Sequence, residues 1–465
     1  MRTTCIRHAR RTATTTVTGV LALSLLAACG SGKSTGSERS SGKVKISVVS
    51  LKPGSEKAAV DTFNAQVKQF EQENPNIEVT PKEYEWKATT FAAQLAGNTL
   101  PTEFTVPFTD GKTLIERKQL ANLSSEVKAL PYAATFNPKV LSAGQATNGD
   151  IYGIPWAAYG IGLQYNRTLF TKAGLDPDKP PASWGEVRSD AKQIAARTGQ
   201  AGYAQMTQSG TGGWMLTTLS YALGGRMEQA DGNKVTATVN NPQTKQALQK
   251  LHDMRWDDNS MGSNFLYDWG GMNQAFAAGK VGMYMGGSDV YTSLVQQNKI
   301  NPADYGLAVL PLDSSSTEAG ILGGGSLAVV SAKASQAQKD AAVKWIDFYY
   351  MRKLTKQDAA VLDAKTLAQG KQPVGTPSLP IFDKATLDKS NEWIKSYVNV
   401  PLKQMTSFTS GVFSQNLVAE PAAQTQALYG ALDPVVQAVL TDRNADIDSL
   451  LSKADSDVQT ILDRG

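Results

Sequence analysis

The amino-acid sequence predicts an α/β fold built as two lobes, for three reasons. The chain has 465 residues, and the roughly 420 that follow its N-terminal segments are enough for two lobes. A buried strand at 45–50, an amphipathic helix at 55–73 and a second strand at 77–80 form the pattern of a right-handed crossover unit in a parallel sheet. Strand and helix signals then recur along most of the chain.

Each element is predicted from its own local pattern. Apolar side chains recur at helical spacing within 55–73, and Asn74-Pro75-Asn76 ends that helix. Glycine pairs at 212–213, 224–225 and 270–271 predict breaks in a mainly helical stretch. The other predicted segments are a helix at 87–97, a strand beginning within 100–106, a short apolar segment at 151–155, helices over 183–280, strands at 281–285, 305–309 and 327–330, and helices over the last 80 residues.

The N-terminal segment has the pattern of an export signal. Four arginines precede an apolar run at 17–28, which is too short for a membrane-spanning helix of roughly 20 residues. Leu26-Ala27-Ala28-Cys29 resembles a bacterial lipoprotein cleavage site, so we expect residues 1–28 to be removed and the sulfur of Cys29 to carry lipid. The alternative is an ordinary signal peptide with a coincidental cysteine, and the export route stays open. Residues 29–43 are predicted as the lipidated cysteine and a flexible tether.

Composition excludes several classes of function. The net charge of +4 equals the charge of the four signal arginines, so the remaining chain is neutral, which argues against nucleic acid as a partner. Cys5 is lost with the signal and Cys29 is the anchor, so the mature domain cannot form an internal disulfide. His252 is the one histidine left after His8 is removed, which argues against a His-rich zinc site. We expect no metal and no cofactor.

Three sequence blocks, in chain order, resemble one protein family. The first comprises Gly149-Asp150-Ile151-Tyr152-Gly153-Ile154-Pro155-Trp156 and Leu163-Gln164-Tyr165-Asn166-Arg167-Thr168-Leu169-Phe170. The second is Phe276-Ala277-Ala278-Gly279-Lys280-Val281-Gly282-Met283, and the third is Gly323-Gly324-Gly325-Ser326-Leu327-Ala328-Val329. Together they resemble the extracellular solute-binding proteins that feed ATP-driven sugar importers. The resemblance covers most of 44–350 and weakens beyond about 375.

The resemblance implies a type II fold like that of periplasmic binding proteins, in which each lobe is a mixed sheet flanked by helices. The ligand lies between the lobes at the hinge, and closure is a hinge rotation. The implied boundaries are lobe 1 at 44–157 plus 320–372, lobe 2 at 158–319 plus 380–465, and a third hinge crossover at 373–379.

Aromatic residues are the first candidates for ligand contacts, because aromatic rings stack on the C–H faces of a sugar. The resemblance implies contacts from Trp214, behind a glycine-rich approach, and from Trp86, after the second strand. For Trp156, Tyr159 and Trp269 it leaves ligand contact and plain packing both open. The remaining tryptophans are predicted to be structural: Trp184, beside a capping box of Ser183 and Glu186, and Trp256, Trp345 and Trp393 in helices.

Polar candidates are predicted in loops, where they would meet sugar hydroxyls. Glu103, Thr109 and Asp110 are placed in the loop after the third strand, as hydroxyl acceptors or as solvated loop residues. The other candidates are predicted to offer backbone N–H groups to the ligand or to be plain turn residues: Gly287, Ser288, Asp289, Gly324 and Gly325.

The function that follows from the resemblance is sugar capture without catalysis. The protein would be monomeric and held outside the cell by the lipid on Cys29, and would deliver its ligand to integral membrane permease subunits served by a separate ATPase chain. A di- or oligosaccharide is favoured, whereas a polyol or a phosphodiester stays open. The alternatives are a surface adhesin or a secreted glycoside hydrolase with paired carboxylates, such as Glu83 or Glu85 with Asp110.

Overall fold

The computed structural model describes residues 42–55, 57–231 and 234–464. The expected export signal, Cys29 and most of the expected tether lie outside the described residues. The strands are β1 Val44–Val49, β2 Ile77–Lys82, β3 Glu103–Pro107, β4 Gly153–Asn166, β5 Ala201–Tyr203, β6 Glu228–Asp231, β7 Lys234–Ala237, β8 Val281–Gly287, β9 Tyr305–Val309, β10 Ile321–Val330 and β11 Leu417–Ala419.

Helices connect and cover these strands. In chain order they are α1 Lys57–Glu73, α2 Ala88–Ala96, α3 Phe108–Glu116, α4 Ser124–Lys128, α5 Pro138–Leu141, α6 Arg167–Ala173, α7 Trp184–Thr198, α8 Thr211–Ala222, α9 Pro242–His252, α10 Trp269–Ala277, α11 Val290–Gln296, α12 Gln336–Ile346, α13 Arg352–Thr355, α14 Gln357–Gln369, α15 Lys384–Ile394, α16 Thr406–Gly411, α17 Thr425–Thr441 and α18 Ile447–Leu462. Among the described residues, no helix is long and apolar enough to cross a membrane.

The main sheet is mixed, with the strand order β2-β1-β3-β10-β4-β8-β5. β1 and β2 are parallel and joined by α1, which confirms the predicted crossover unit. β10 runs antiparallel to both β3 and β4 at the centre of the sheet. In addition β11 pairs with β10, β9 pairs with β4, and β6 and β7 form a separate antiparallel two-stranded sheet.

β4 joins the two halves of this sheet. Its first part, up to Gly160, pairs with β10, whereas its second part, from Ile161 onward, lies between β8 and β9. The sequence indicated only a short apolar segment at 151–155, although residues 156–166 are also mainly apolar and aromatic, with two glycines, Gln164 and Asn166 among them. Burial on both faces explains why so mixed a sequence forms a strand.

The first sheet half has a core rich in aromatic side chains. Phe63 and Phe70 of α1 are buried there against Trp345 of α12, with edge contacts of 5.8 and 5.3 Å between ring centroids. Trp345 also stacks on Tyr349 at 5.2 Å and 8°. These contacts confirm the prediction that α1 is amphipathic and the structural role predicted for Trp345.

Trp184 also has the structural role predicted for it. It begins α7, directly after a Ser183 N-cap that forms a capping box with Glu186. Its side chain is 7% exposed, and its indole N–H donates to the backbone oxygen of Pro311 at 2.9 Å.

Two local predictions were wrong. The glycine pairs at 212–213 and 270–271 lie inside α8 and α10 instead of breaking them. Gly213 is required by packing, because a Cβ there would overlap the backbone of Tyr429 in α17. The supposed loop after the third strand is also absent: Glu103 begins β3, and Thr109 and Asp110 lie in the first turn of α3.

Candidate ligand-binding cleft

Two cavities adjoin at Thr109, in the first turn of α3. The first, of ≈ 210 Å³, lies between α3, the glycine-rich part of β10 and the segment 417–422. The second, of ≈ 400 Å³, lies between α2, α3 and the start of α17. Residues 417–422 line the first cavity and residues 424–427 line the second, so the segment from β11 into α17 contributes to both walls. We refer to the two cavities together as the candidate cleft.

The wall of the second cavity is built around Asp110. The indole N–H of Trp86 donates to Oδ2 of Asp110 at 2.8 Å, which fixes an aromatic ring beside a hydroxyl acceptor. Burial raises the pKa of Asp110 to about 6, and the Trp86 hydrogen bond opposes this shift. Across the cavity, Nε2 of Gln426 donates to Oγ1 of Thr109 at 2.9 Å and so links α17 to α3.

Glu420 supplies a carboxylate to the first cavity. The hydroxyl of Tyr429 donates to its Oε1 at 3.4 Å, and the ring of Trp214 lies beside it. Burial and the nearby negative charge of Asp110 raise the pKa of Glu420 to about 8. The chain after Glu420 is fixed by Glu228, whose Oε1 accepts from the backbone N–H groups of Ala422 and Ala423 at 2.6 and 3.1 Å.

Tyr159 lies between these carboxylates and the centre of the sheet. Its ring approaches Trp214 edge-on, with 6.4 Å between centroids. A Cβ at Gly287 would lie 3.1 Å from the Tyr159 ring, and one at Gly324 would overlap its hydroxyl. A Cβ at Gly325 would lie 2.5 Å from the ring of Phe108. These glycines therefore leave space for aromatic rings, whereas the sequence predicts that they leave space for the ligand.

The position of Trp214 depends on contact between α8 and α17. Asp433 accepts hydrogen bonds from the backbone N–H of Gly210 at 2.6 Å and of Gly213 at 2.9 Å. A carboxylate at the N-terminus of α8 satisfies donors that have no partner within the helix. The half-buried Trp214 is thereby held at the start of α8, beside the carboxylate of Glu420.

Asp289 directly follows β8 and lines neither cavity. It is exposed to solvent, and the protein atoms packed around its carboxyl raise its pKa. The strand end behind it is fixed by Gln164, whose Nε2 donates to the oxygens of Gly286 and Gly287 at 2.9 and 3.3 Å. The hydroxyl of Tyr305 in turn donates to Oε1 of Gln164 at 2.6 Å, so the whole network is buried.

Nine predicted site residues line neither cavity: Glu103, Trp156, Tyr159, Trp214, Trp269, Gly287, Ser288, Asp289 and Gly325. Glu103 is wholly buried in β3, where its Oε2 accepts from the N–H of Val49 at 3.2 Å. Ser288 is wholly buried, and its N–H already donates to the oxygen of Gly160 at 3.0 Å. Trp156 packs on Tyr350, with 4.9 Å between ring centroids. Trp269 begins α10 half-buried and lines neither cavity.

Sequence reasoning missed several residues of the cleft. Phe108 precedes the predicted pair of Thr109 and Asp110, and could have been found as an aromatic at the same strand end. Glu420 and Gln426 lie where the family resemblance fades, and no local motif marks them. They reach the site because strand β11, which precedes them, pairs with β10 and so brings this part of the chain to the cavities.

The arrangement suits reversible binding of a small polar molecule. The cavity walls are mainly apolar and carry the rings of Trp86 and Phe108 and the carboxylates of Asp110 and Glu420. They also carry three basic side chains, which belong to Lys112, Lys139 and Arg117. Within the described part of the chain, no group of three or more His, Cys, Asp or Glu side chains could hold a metal ion.

Known proteins with similar sequences and folds are solute receptors. The sn-glycerol-3-phosphate-binding periplasmic protein UgpB of Yersinia enterocolitica is 30% identical over 209 residues, which is 42% of this chain and 44% of that protein. The chain therefore matches less than half the length of this relative.

Two solved structures share the fold. The cyclic alpha-maltosyl-1,6-maltose binding protein of Arthrobacter globiformis superposes with a TM-score of 0.70 at 23% identity, covering 91% of this chain and 100% of that one. UgpB of Mycobacterium tuberculosis, solved in complex with glycerophosphocholine, gives 0.68 at 19% identity with the same coverage. The fold is thus the two-lobed type II fold of periplasmic solute-binding proteins, as predicted.

A sequence profile of the bacterial extracellular solute-binding protein family matches residues 65–365, well over half of the chain. The proteins with which it groups are binding proteins, not enzymes, and they act outside the cytoplasm. The cleft geometry, the fold and the profile agree: this chain belongs to the bacterial extracellular solute-binding protein family.

Proposed function

We propose that this protein captures a sugar outside the cell and delivers it to the permease of an ABC importer. The observation that carries the proposal is the pairing of Trp86 with Asp110 on the cavity wall. A ring face beside a carboxylate acceptor matches the two surfaces of a pyranose, its C–H face and its hydroxyl rim. Phe108 supplies an aromatic ring to the wall of the first cavity, which favours a ligand of more than one ring.

Similar proteins support this choice of ligand class. The Arthrobacter globiformis structure is of a protein that binds a cyclic maltosyl-maltose, and the Yersinia enterocolitica relative binds sn-glycerol-3-phosphate. Both ligands are small and rich in hydroxyl or phosphate oxygens. Among them we favour a sugar, because the Trp86 ring beside the Asp110 acceptor suits both a C–H face and a hydroxyl group.

We propose hinge closure between lobe 1, at 44–157 plus 320–372, and lobe 2, at 158–319 plus 380–465, with 373–379 as the third crossover. The change of partners along β4 supports a boundary near Gly160. The hydrogen bond from Gln426 to Thr109 would then join the two lobes across the cleft. Ligand shifts the equilibrium towards closure only if it contacts both sides.

The expected lipid on Cys29 would hold the protein at the membrane surface, beside its permease. This part of the proposal rests on the sequence pattern at 26–29. A Cys29→Ser variant, expressed in the native host and fractionated, should move from the membrane fraction to the medium or periplasm. If it stays with the membrane, the protein is anchored by another route.

Calorimetric titration of the purified protein tests the proposed function. A panel of mono-, di- and oligosaccharides, polyols and sn-glycerol-3-phosphate should include sugars that bind with low-micromolar affinity, about −8 kcal/mol. Asp110→Asn should weaken sugar binding by roughly tenfold, since a hydrogen bond to a charged group contributes about 1.5–3 kcal/mol. Trp393→Ala, on the half-buried Trp393 of α15, is the matched control and should bind normally. No binding by any sugar would overturn the proposal.

We also propose that the protein makes and breaks no bonds. The negative charge of Asp110 raises the pKa of Glu420, and glycoside hydrolases use a pair of carboxyl groups of which one has a raised pKa. Hydrolase activity therefore has to be tested directly. Incubation of every sugar that binds should release no reducing ends above the level of a heat-inactivated sample. Turnover that disappears in Glu420→Gln would establish an enzyme instead.

A further inference from the structure

The segment 420–427, which leads from the end of β11 into the first turn of α17, contributes to both cavities, and we call it the cleft segment. Residues 420–422 line the first cavity and residues 424–427 line the second. Within it, Gln426 also donates to Thr109, which borders both cavities. A displacement of the cleft segment would therefore change the walls of both cavities together.

The cleft segment contains a costly backbone conformation. Gln424, directly before α17, has a φ of 49°, in the left-handed region that residues other than glycine rarely adopt. The hydroxyl of Thr425 donates to the backbone oxygen of Pro421, which closes the segment on itself. A strained residue persists only where the surrounding contacts fix its conformation, so contacts from the rest of the protein decide whether the segment keeps this shape.

Glu228, the first residue of β6, supplies such contacts from outside the cleft segment. Its Oε1 accepts hydrogen bonds from the backbone N–H groups of Ala422 and Ala423, at 2.6 and 3.1 Å, directly before the strained Gln424. Hydrogen bonds from N–H groups to a carboxylate are stronger than those between neutral groups. Glu228 itself lines neither cavity, so it can affect a ligand only through the cleft segment.

The carboxylate of Glu228 is committed to this backbone contact. Its Oε2 is buried without a hydrogen-bonding partner, and no lysine or arginine in the described part of the chain forms an ion pair with it. The guanidinium of Arg226, two positions earlier, instead donates to the backbone oxygens of Gly225 and Glu318 at 2.6 and 2.9 Å. Burying a carboxylate without a cation is costly, and the two backbone hydrogen bonds offset part of that cost.

The strand that carries Glu228 is anchored on the side away from the cleft. β6 pairs with β7, with Glu228 opposite Ala237. The backbone N–H of Ala237 donates to Oε1 of Gln459 in α18 at 2.9 Å, and Nε2 of Gln459 donates to the oxygen of Val235 at 3.4 Å. Glu228 therefore holds the cleft segment against a supported strand, as a side chain that positions a binding site has to do.

We propose that Glu228 is a positioning residue for ligand binding, which holds the cleft segment in the shape that both cavities require. This inference rests on the proposed function, because it assigns a part in sugar binding to a residue that does not touch the sugar. A segment that is already ordered avoids the free-energy cost of ordering it when the ligand binds. The affinity for sugar therefore depends on the hydrogen bonds that Glu228 accepts.

Amide hydrogen exchange of the unliganded protein tests the contact itself. In Glu228→Ala, peptides that cover 420–427 should exchange roughly tenfold faster, because two N–H groups lose their acceptor, whereas peptides of β1 and α12 should keep their rates. Glu228→Gln retains an acceptor oxygen and should exchange nearly as wild type does. Faster exchange throughout the chain would mean that Glu228 supports the fold in general, and would overturn the inference.

Calorimetric titration with maltose, cellobiose and the other sugars of the panel tests the consequence for binding. A sugar that binds wild type should bind Glu228→Ala roughly tenfold more weakly, and Glu228→Gln should recover most of this loss. Gln229→Ala, on the exposed next residue of β6, is the matched control and should bind as wild type does. If melting curves show that Glu228→Ala does not fold, Glu228→Met takes its place, because methionine keeps the side-chain length but lacks a carboxylate.

The outcomes separate this inference from the proposed function. Normal affinity of Glu228→Ala overturns the inference and leaves the proposed function standing, and so does unchanged exchange at 420–427. An equal loss of affinity in Gln229→Ala also overturns it, because the effect would then belong to the strand and not to the carboxylate. If wild type binds none of the sugars, the proposed function fails and this inference fails with it.

Discussion

At the residue scale, the cleft is defined by single hydrogen bonds between distant side chains. Trp86 precedes α2, Asp110 lies in α3, and their contact at 2.8 Å places a ring and a carboxylate on one surface. The bond also opposes the burial that raises the pKa of Asp110. Ring position and carboxylate charge are therefore coupled at this point of the cleft.

Replacement of Trp86 by phenylalanine separates these two contributions. The Trp86→Phe variant keeps an aromatic face but removes the N–H that Asp110 accepts, so sugar affinity should fall by roughly tenfold. Trp86→Ala also loses the stacking face and should bind more weakly still. Calorimetric titration measures both variants. Equal affinities for Phe and wild type would show that the hydrogen bond does not contribute to binding.

Glu103 makes the stability of the protein depend on pH. It is wholly buried, its Oε1 has no hydrogen-bonding partner among the described residues, and burial raises its pKa to about 8. The folded protein thus keeps a proton there that the unfolded chain releases above about pH 4.5. The free energy of unfolding should therefore fall as pH rises from about 5 to about 8, by at most about 1.4 kcal/mol per pH unit.

The Glu103→Gln variant lacks the titrating proton and should lose this part of the pH dependence. Denaturant unfolding at pH 5.5 and pH 8.5 measures the difference between the two proteins. Glu83→Gln, on an exposed carboxylate, is the control and should follow wild type. If Glu103→Gln and wild type lose stability equally between these pH values, Glu103 does not keep its proton.

At the element scale, the contact between α8 and α17 decides where Trp214 lies. Gly213 allows the two helices to touch, since a Cβ there would overlap the carbonyl of Tyr429. Backbone atoms in packed helices cannot move aside as a flexible side chain can. Asp433 of α17 then accepts hydrogen bonds from the backbone N–H groups of Gly210 and Gly213 at the start of α8, which have no partner within the helix.

Gly213→Ala should force these helices apart and destabilise the protein by about 1–3 kcal/mol, with weaker sugar binding. Gly430→Ala is a matched control on α17, because a Cβ there meets nothing within 4 Å. That variant should gain about 0.5–1 kcal/mol from the higher helix propensity of alanine. Thermal unfolding measures both, and a neutral Gly213→Ala would contradict the close packing.

At the scale of the whole molecule, two segments connect the two sides of the cleft. They are strand β4 and the segment that runs from β11 into α17. β4 passes from one sheet half to the other, and Gln426 contacts Thr109 across the second cavity. A hydrogen bond between residues 317 positions apart in sequence therefore joins the two sides of this cavity. In the proposed hinge motion, these two sides would separate to admit the ligand.

The hydrogen bond between Gln426 and Thr109 should favour the closed arrangement. Gln426→Ala should increase the radius of gyration of the unliganded protein in X-ray scattering and weaken sugar binding a few-fold. Thr109→Val removes the same bond from the other side. A double-mutant cycle should show that the two effects are not additive, and full additivity would exclude this bond as their cause.

Local sequence patterns were sufficient to predict β1, α1, β2 and β9, because each has a clear apolar period or a clear stop signal. The capping box at Ser183 likewise gave the start of α7. The pair of Thr109 and Asp110 was predicted as part of the site, although in a loop instead of a helix. Pro107 ends the strand and the helix follows at once, so the intervening loop does not exist.

The sequence by itself determined the α/β class, the crossover unit and the membership of the chain in its family, since these depend on local period and on short motifs. The tertiary structure alone decided which acids and rings share the cleft. Glu103 and Asp110 are seven positions apart and look alike in sequence, yet one lies in the core and the other faces a cavity. Glu420 and Gln426 reach the cleft only because β11 returns beside β10, and no local pattern encodes that long-range pairing.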